Sequence, residues 1–338
     1  MGRGRRWWYG VMIGVALPLS GGLAAAATPA GSAQVEGQVW PETPVQPWDE
    51  TAATGEPWAD VLNQSFSLTR RGRAGERHRY QFRRQNLLLD REGRTVQRTL
   101  FEGTVRQTLQ EEREPGLWAE RIEWERFGMG QAQGPTDRPV VKDVAGARGF
   151  AFDYYPPTFD YLNPPGDYAK LGDPMTGYGL KVAMMDVAGF SALVMGVRED
   201  PKRPVRIGET RAAPRWQQGL AIKPGSGAGV GGDYRLGVLT VSVAGLTRRS
   251  GEPCVLLWFT AEGNEVTQDT ENPQLTMRMR GTEYFRGTLA LSARDGHVVG
   301  GELWGPLPAT LVMGFGGQPA TEQPSSGFMQ QVSLWEIR

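Results

Sequence analysis

Between Phe150 and Asp173 the sequence concentrates aromatic rings and carboxylates. Aromatic faces grip sugar rings, and a pair of carboxylates can hydrolyse a glycoside as acid and base. Asp153 and Asp160, with Tyr154, Tyr155 and Tyr161, are therefore the candidates for a glycan site. The same rings would equally well pin a loop over a sheet, because Pro156, Pro157, Pro164 and Pro165 interrupt the run. Prolines at that density exclude a regular helix or a central strand there.

Other chemistries find little support. The chain has two histidines, His78 and His297, and one cysteine, Cys254. A structural zinc site wants about four nitrogen or sulfur ligands at short paired spacings, so no metal is expected. A calcium site among Asp153, Asp160, Asp167 and Asp173 matches no loop pattern. His297 directly follows the Asp295-Gly296 turn, where an exposed loop residue is expected. No Gly-x-Ser-x-Gly elbow is present, so no catalytic residue is assigned and the expectation is a protein that is not an enzyme. Gly227 to Gly232 matches Gly-x-Gly-x-x-Gly. Lys223-Pro224 before it and Asp233-Tyr234-Arg235-Leu236 after it supply neither the strand nor the helix N-terminus of a dinucleotide loop. A flexible connection is the expectation, and no cofactor is assigned.

An apolar site has better material. Leu180, Ala183, Met184 and Val187 fall at helical spacing, with Gly177, Gly179 and Gly189 limiting the helix to a few turns. Phe190 to Val197 would serve nearly as well as a strand. Leu180, Met184, Met185, Val187 and Phe190, set opposite Trp118, Ile122 and Trp124, are the candidate lining of an apolar cleft. Plain core is the competing interpretation of the same residues.

The elements that would position such a site are mostly strands. Residues 77–127 read as a three-stranded meander: polar and aromatic side chains alternate in Arg79-Tyr80-Gln81-Phe82-Arg83. Asp90-Arg91-Glu92-Gly93 and Glu114-Pro115-Gly116 supply the turns. Trp118, Ile122 and Trp124 share one face of the third strand, with Glu120 breaking the apolar row. A second β-rich region begins near Tyr234. The run Cys254-Val255-Leu256-Leu257-Trp258-Phe259 is the candidate central strand, with Cys254 a buried, inert thiol. Asp295-Gly296 reads as a type I′ hairpin, and Phe328 to Ile337 as the strand that closes the sheet. Glu102-Gly103-Thr104-Val105 and Arg286-Gly287-Thr288-Leu289 form an internal echo consistent with two related lobes.

The start of the chain has a different purpose. Arg3, Arg5 and Arg6 precede an apolar run from Trp7 to Leu19, then Pro18, Gly21, Gly22 and Ala24 to Ala27. That is the layout of a secretory signal peptide, loosely of twin-arginine type. Export to the periplasm or cell exterior follows, with no transmembrane span in the mature chain. Basic and acidic residues number 37 each, and removing the three leader arginines leaves net −3. Ten arginines against three acids between Arg70 and Leu100 form a stripe read as a solvated strand face. A polyanion such as a lipid headgroup would also suit it, and export argues against nucleic acid as a partner.

The expected layout is a signal peptide (1–33), a proline-rich strap punctuated by Trp40, Trp48 and Trp58 (34–58), a β-meander (59–145), a loop and helix covering segment (146–232) and a C-terminal antiparallel region (233–338). From Tyr234 to Leu303, Gly251-Glu252-Pro253-Cys254, Gly263-Asn264, Gly281-Thr282-Glu283-Tyr284-Phe285-Arg286-Gly287 and Asp295-Gly296 make a run that resembles exported bacterial proteins of unknown function. These are similar in outline to periplasmic lipoprotein carriers and related lipid-binding proteins. The resemblance covers roughly a fifth of the chain, rests on turn chemistry and transfers no site residue. It implies an open, strongly curved antiparallel sheet with helix over its concave side. The fold class expected is thus mainly β, a large open half-barrel in one or two lobes with one short helix and a long Gly/Pro-rich cover. An apolar ligand or an envelope component is the expected partner. Expressed in a Gram-negative host, the chain should be exported and shortened after Ala27 or Ala33 by intact-mass measurement; an unprocessed chain in the cytoplasm would contradict export.

Overall fold

The computed structural model describes residues 68–134, 137–157, 160–161, 171, 174–194, 205–212, 217–219, 229–249, 251–272, 275–315, 319–322 and 325–337. The leader, the strap with its three tryptophans, Asp167 and Asp173 lie outside them. Strands β1 (Arg77–Asp90), β2 (Thr95–Glu114) and β3 (Leu117–Gln133) form the meander, followed by β4 (Lys142–Asp143), β5 (Ala151–Tyr155) and β6 (Asp160–Tyr161). Helix α1 (Pro174–Leu193) precedes three short strands, β7 (Thr210–Ala212), β8 (Gln217–Gly219) and β9 (Gly229–Arg235). Then come β10 (Val238–Arg249), β11 (Glu252–Asn272), β12 (Leu275–Ser292) and β13 (Val298–Leu307). The chain finishes with β14 (Ala309–Phe315), β15 (Thr321–Glu322) and β16 (Ser325–Glu336).

All sixteen strands among the described residues belong to one curved antiparallel sheet that is not closed into a barrel. Its main path runs β6-β5-β3-β2-β1-β16-β13-β12-β11-β10-β7. The first long strand and the last therefore lie side by side, with Tyr80 opposite Glu336 and Leu88 opposite Phe328. The last strand, β16, sits in the middle of this path, hydrogen-bonded to β1 and β13. The meander and the C-terminal region are two halves of one sheet.

The sheet forks where β11 and β12 change partners. β11 pairs β10 up to Glu262 and β9 from Glu265, with a register break between Ala261 and Asn264. Gly263 takes φ +71° at that break, a left-handed conformation natural to glycine. Beyond the fork Val266, Met279, Leu307, Leu311 and Met313 form a small core of their own. β9 contains Gly229 to Gly232, so that part of the glycine-rich run is paired strand and not a flexible connection. The long β11 needs a partner beyond the fork, and β9 supplies it. Strands β5 to β9 likewise put short pieces of the presumed cover into the sheet itself. β5 pairs β3 near the sheet's end, a position that the flanking prolines tolerate.

The apolar side chains of one face meet α1 in a single core that includes Tyr80, Phe82, Ile122, Trp124, Leu257 and Phe259. On β11, Cys254, Val255, Leu256 and Leu257 are all buried, so this strand is covered on both faces as expected. The helix is longer than its periodicity suggested: it spans Pro174–Leu193, passing through Gly177, Gly179 and Gly189 and replacing the strand considered from Phe190. Gly179 is a packing choice, because a Cβ there would lie 2.8 Å from the Phe101 ring. A Cβ on Gly189 would meet nothing within 4 Å. Accordingly Gly179→Ala should lower stability by about 1–3 kcal/mol through overpacking, while Gly189→Ala should raise it by about 1 kcal/mol through helix propensity. Urea midpoints that moved equally for both would contradict this placement.

Candidate functional site

Three polar networks are built into the helix-covered face, and each begins at a position that strand alternation points inward. On β1, Tyr80, Phe82 and Arg84 share that face. Arg84 is buried and donates from Nη1 to both carboxylate oxygens of Asp186 on α1, each at 2.7 Å. Its Nη2 donates to Gln330 on β16. Gln330 in turn donates to Glu283 on β12 at 2.7 Å, and Tyr234 hydrogen-bonds to the same carboxyl. This network thus ties the helix to four strands of the sheet, β1, β16, β12 and β9. Burial raises the Asp186 carboxyl, against the pull of Arg84. Burial likewise lifts Glu283 to about 7, opposed by Arg84, Tyr234 and Gln330. Lys181 on the same helix is pushed down by burial.

The second network explains the carboxylate in the apolar row of β3. Glu120 is buried and accepts from Gln107 at 2.5 Å and from the Tyr154 hydroxyl. Gln107 also reaches Ser191 of α1 at 3.1 Å, and burial raises Glu120 above the usual carboxylate range. Beside it Arg70, Leu117, Trp118, Glu120, Pro156 and Ser191 border a cleft of about 10 Å³, room for one water and far too small for an acyl chain. Asp153, Tyr154 and Tyr155 of the aromatic-acidic segment have structural contacts. Tyr154 is fully buried, Tyr155 lies under Arg113 at 5.3 Å with its hydroxyl 3.2 Å from Glu114, and Asp153 is ion-paired with Arg121 at 3.1 Å. Backbone pairing sets Tyr155 opposite Asp160 and Tyr154 opposite Tyr161.

The third network unites both histidines. His78 at the start of β1 and His297 at the start of β13 stack with ring centroids 4.3 Å apart. Glu336, at the end of β16, lies between them: Oε1 is 2.7 Å from His78 Nδ1 and Oε2 is 3.2 Å from His297 Nε2. Each outer ring nitrogen meets a second carboxylate. Glu76 is 2.8 Å from His78 Nε2, and Asp295 is 2.5 Å from His297 Nδ1. Arg70 pairs with Glu76 at 2.7 Å and with Asp295 at 3.3 Å. Burial alone would lower the His297 imidazole, but its hydrogen bonds to Asp295 and Glu336 overrule that and raise it to about 9. Burial would raise Glu336, and the two histidines instead hold it at about 2. Asp295 is held far below its ordinary value against burial by the same imidazole.

His297 is therefore buried and not an exposed loop residue. The connection before it is also longer than a two-residue turn. Ser292 donates to the His297 carbonyl at 2.8 Å and Gly296 to the Ser292 carbonyl at 2.9 Å, a geometry that turns the imidazole inward. Glu336 and His78 are 258 positions apart, so no local spacing betrays the cluster. The apolar candidates Leu180, Met184, Met185, Val187, Phe190, Ile122 and Trp124 do converge, in one core; Trp118 is buried nearby. The lone thiol of Cys254 is buried and raised to about 12, which leaves it unreactive.

No protein-family model and no curated protein matches this chain. No described helix is long and apolar enough to cross a membrane.

The Glu283 carboxyl makes a pH prediction. Its folded value of about 7 lies above the unfolded value of 4.5, so between these two pH values the folded state holds the extra proton and stability falls as pH rises. Glu283→Gln should remove that decline, leaving the variant more stable than the parent at pH 8 and nearly equal to it at pH 4. Parallel pH profiles of the urea midpoint for the two proteins would refute a neutral Glu283.

Proposed function

We propose that this chain is an exported, non-enzymatic binding or envelope-maintenance protein that holds an apolar ligand, an acyl chain or a partner's hydrophobic segment, in the groove now filled by α1. The observation that carries this is the way the helix is bedded. α1 buries Leu180, Met184, Val187 and Phe190 against an open, curved sheet, and it is held there by a buried ion pair from Arg84 to Asp186. A buried pair gains little over a hydrophobic replacement because desolvating both charges offsets their attraction. Lifting the helix would uncover a continuous apolar surface, including Leu180, Met184, Val187, Phe190 and the sheet face beneath them, and an apolar ligand in its place would restore that burial. Methionine side chains, as at Met184 and Met185, repack readily around ligands of varied shape. The resemblance of residues 234–303 to exported proteins of unknown function, themselves similar in outline to lipid-binding carriers, and the leader-like N-terminus, agree with this function.

The test is ligand capture by the purified protein. Organic extraction followed by mass spectrometry should release lipid, and a fluorescent fatty-acid analogue should bind. Asp186→Asn, which breaks the latch at constant size, should tighten probe binding about tenfold by raising the population of the lifted state. If neither protein carries lipid or binds the probe while both remain folded by circular dichroism, the chain is a structural module and not a carrier.

A further inference from the structure

The histidine cluster has no part in holding an apolar ligand, and its composition calls for a different occupant. Glu76, Asp295 and Glu336 bring three half-buried carboxylates to one spot, against the single guanidinium of Arg70. Such a spot lacks two positive charges. Two protons on the imidazoles would supply them, and so would one divalent cation bound to neutral imidazoles. The geometry favours metal binding in two further respects. One nitrogen from each imidazole and the Glu336 carboxylate face one another, with ligand atoms from the three residues within 4.8 Å of one another. In a tetrahedral zinc site, bonds of about 2.0–2.1 Å put ligand atoms roughly 3.3 Å apart, so the two stacked rings would turn to bring their nitrogens onto a common ion. The nitrogens that face away, His78 Nε2 and His297 Nδ1, each lie against a separate carboxylate, Glu76 and Asp295, and His78 Nε2 also lies 3.0 Å from Arg70 Nη2. Metal-bound histidines are held in this manner, the outer N–H donating to a carboxylate that fixes the tautomer and strengthens the ligand.

We propose that His78 Nδ1, His297 Nε2 and Glu336 bind one divalent transition-metal ion of the zinc class, with Glu76 and Asp295 orienting the two rings. Imidazole with carboxylate suits zinc and its first-row neighbours better than calcium or magnesium, which prefer all-oxygen shells. Arg70 is part of the balance: with it, one divalent ion and three carboxylates leave the cluster neutral. The site joins the start of β1, the entry to β13 and the end of β16. A bound ion therefore clamps the two ends of the described chain together and is expected to stabilise the fold by mass action.

The test is to dialyse the purified chain against EDTA, remove the chelator and titrate with Co(II) and Zn(II) at pH 7.5. One equivalent of Co(II) should bind with the visible d–d absorption of a four- or five-coordinate nitrogen and oxygen site, Zn(II) should displace it, and the melting temperature should rise with either ion. His297→Asn should weaken Co(II) binding at least tenfold, and Asp295→Asn about 10–100-fold as an orienting residue. Failure of the folded, unsubstituted chain to bind either ion stoichiometrically overturns the site, whether or not the variants fold. Binding that is unchanged in a folded His297→Asn overturns it equally. Neither result depends on whether an apolar ligand occupies the groove.

Discussion

The pairing of β1 with β16 is the constraint on which the rest of this structure depends. It joins a β-meander from the start of the described chain to strands from its end, eleven residue pairs long, and makes one sheet of two regions. Both sides of that seam contribute to the polar networks. Arg84 and His78 come from β1, while Gln330 and Glu336 come from β16. Without this pairing Arg84 would lack its Gln330 partner, and His78 would lose Glu336. Long-range antiparallel pairing must be closed at a cost in chain entropy before it gains anything. The apolar face that it completes, from Tyr80 and Phe82 to Val332 and Leu334, supplies the compensating burial.

The buried charges give that core its specificity. A helix that is apolar over most of its surface could slide on an apolar sheet, since dispersion and burial are not directional. The contact of Arg84 Nη1 with both oxygens of Asp186 favours one register, and the bond from Gln107 to Ser191 adds a second tie in the C-terminal half of the helix. The stacked histidines do the same for chain segments instead of layers. They sit where the strand β1 begins and β16 ends, a location in which fraying would otherwise start. Charge concentrated at these places therefore holds elements in position while apolar contact supplies most of the cohesion.

Much of this fold could be read from the sequence, because strand alternation is a local signal. Tyr80 and Phe82 along β1, Trp118, Ile122 and Trp124 along β3, and the doubly buried run at Cys254 all stand as their spacing indicated. Glu120 was visible as a charge in an apolar row, and its burial beside Tyr154 and Gln107 follows from that position. Arg84 was just as visible in principle: it continues the inward parity of Tyr80 and Phe82, but it was absorbed into an arginine-rich stripe whose other members are mostly exposed. Only Arg70 and Arg84 of those ten are buried. The histidine pair was not legible at all, because strand order, not sequence spacing, brings His78, His297 and Glu336 together. The extent of α1 was hidden for another reason. Its glycines signal helix ends by intrinsic propensity, whereas Gly179 is there to let the helix approach Phe101.

The central claim is the register of β1 on β16, and cross-linking tests it most directly. Arg83 and Ser333 are paired positions in that register, and neither is buried. With the native thiol removed by Cys254→Ala, the pair Arg83→Cys and Ser333→Cys should form an intrachain disulfide under mild oxidation, seen as a loss of two hydrogens in the intact mass and a single linked peptide. Arg83→Cys with Gln331→Cys, two positions out of register, should link far more slowly. Equal linkage of both pairs, or none in the folded protein, would show that the two ends of the sheet do not meet as described.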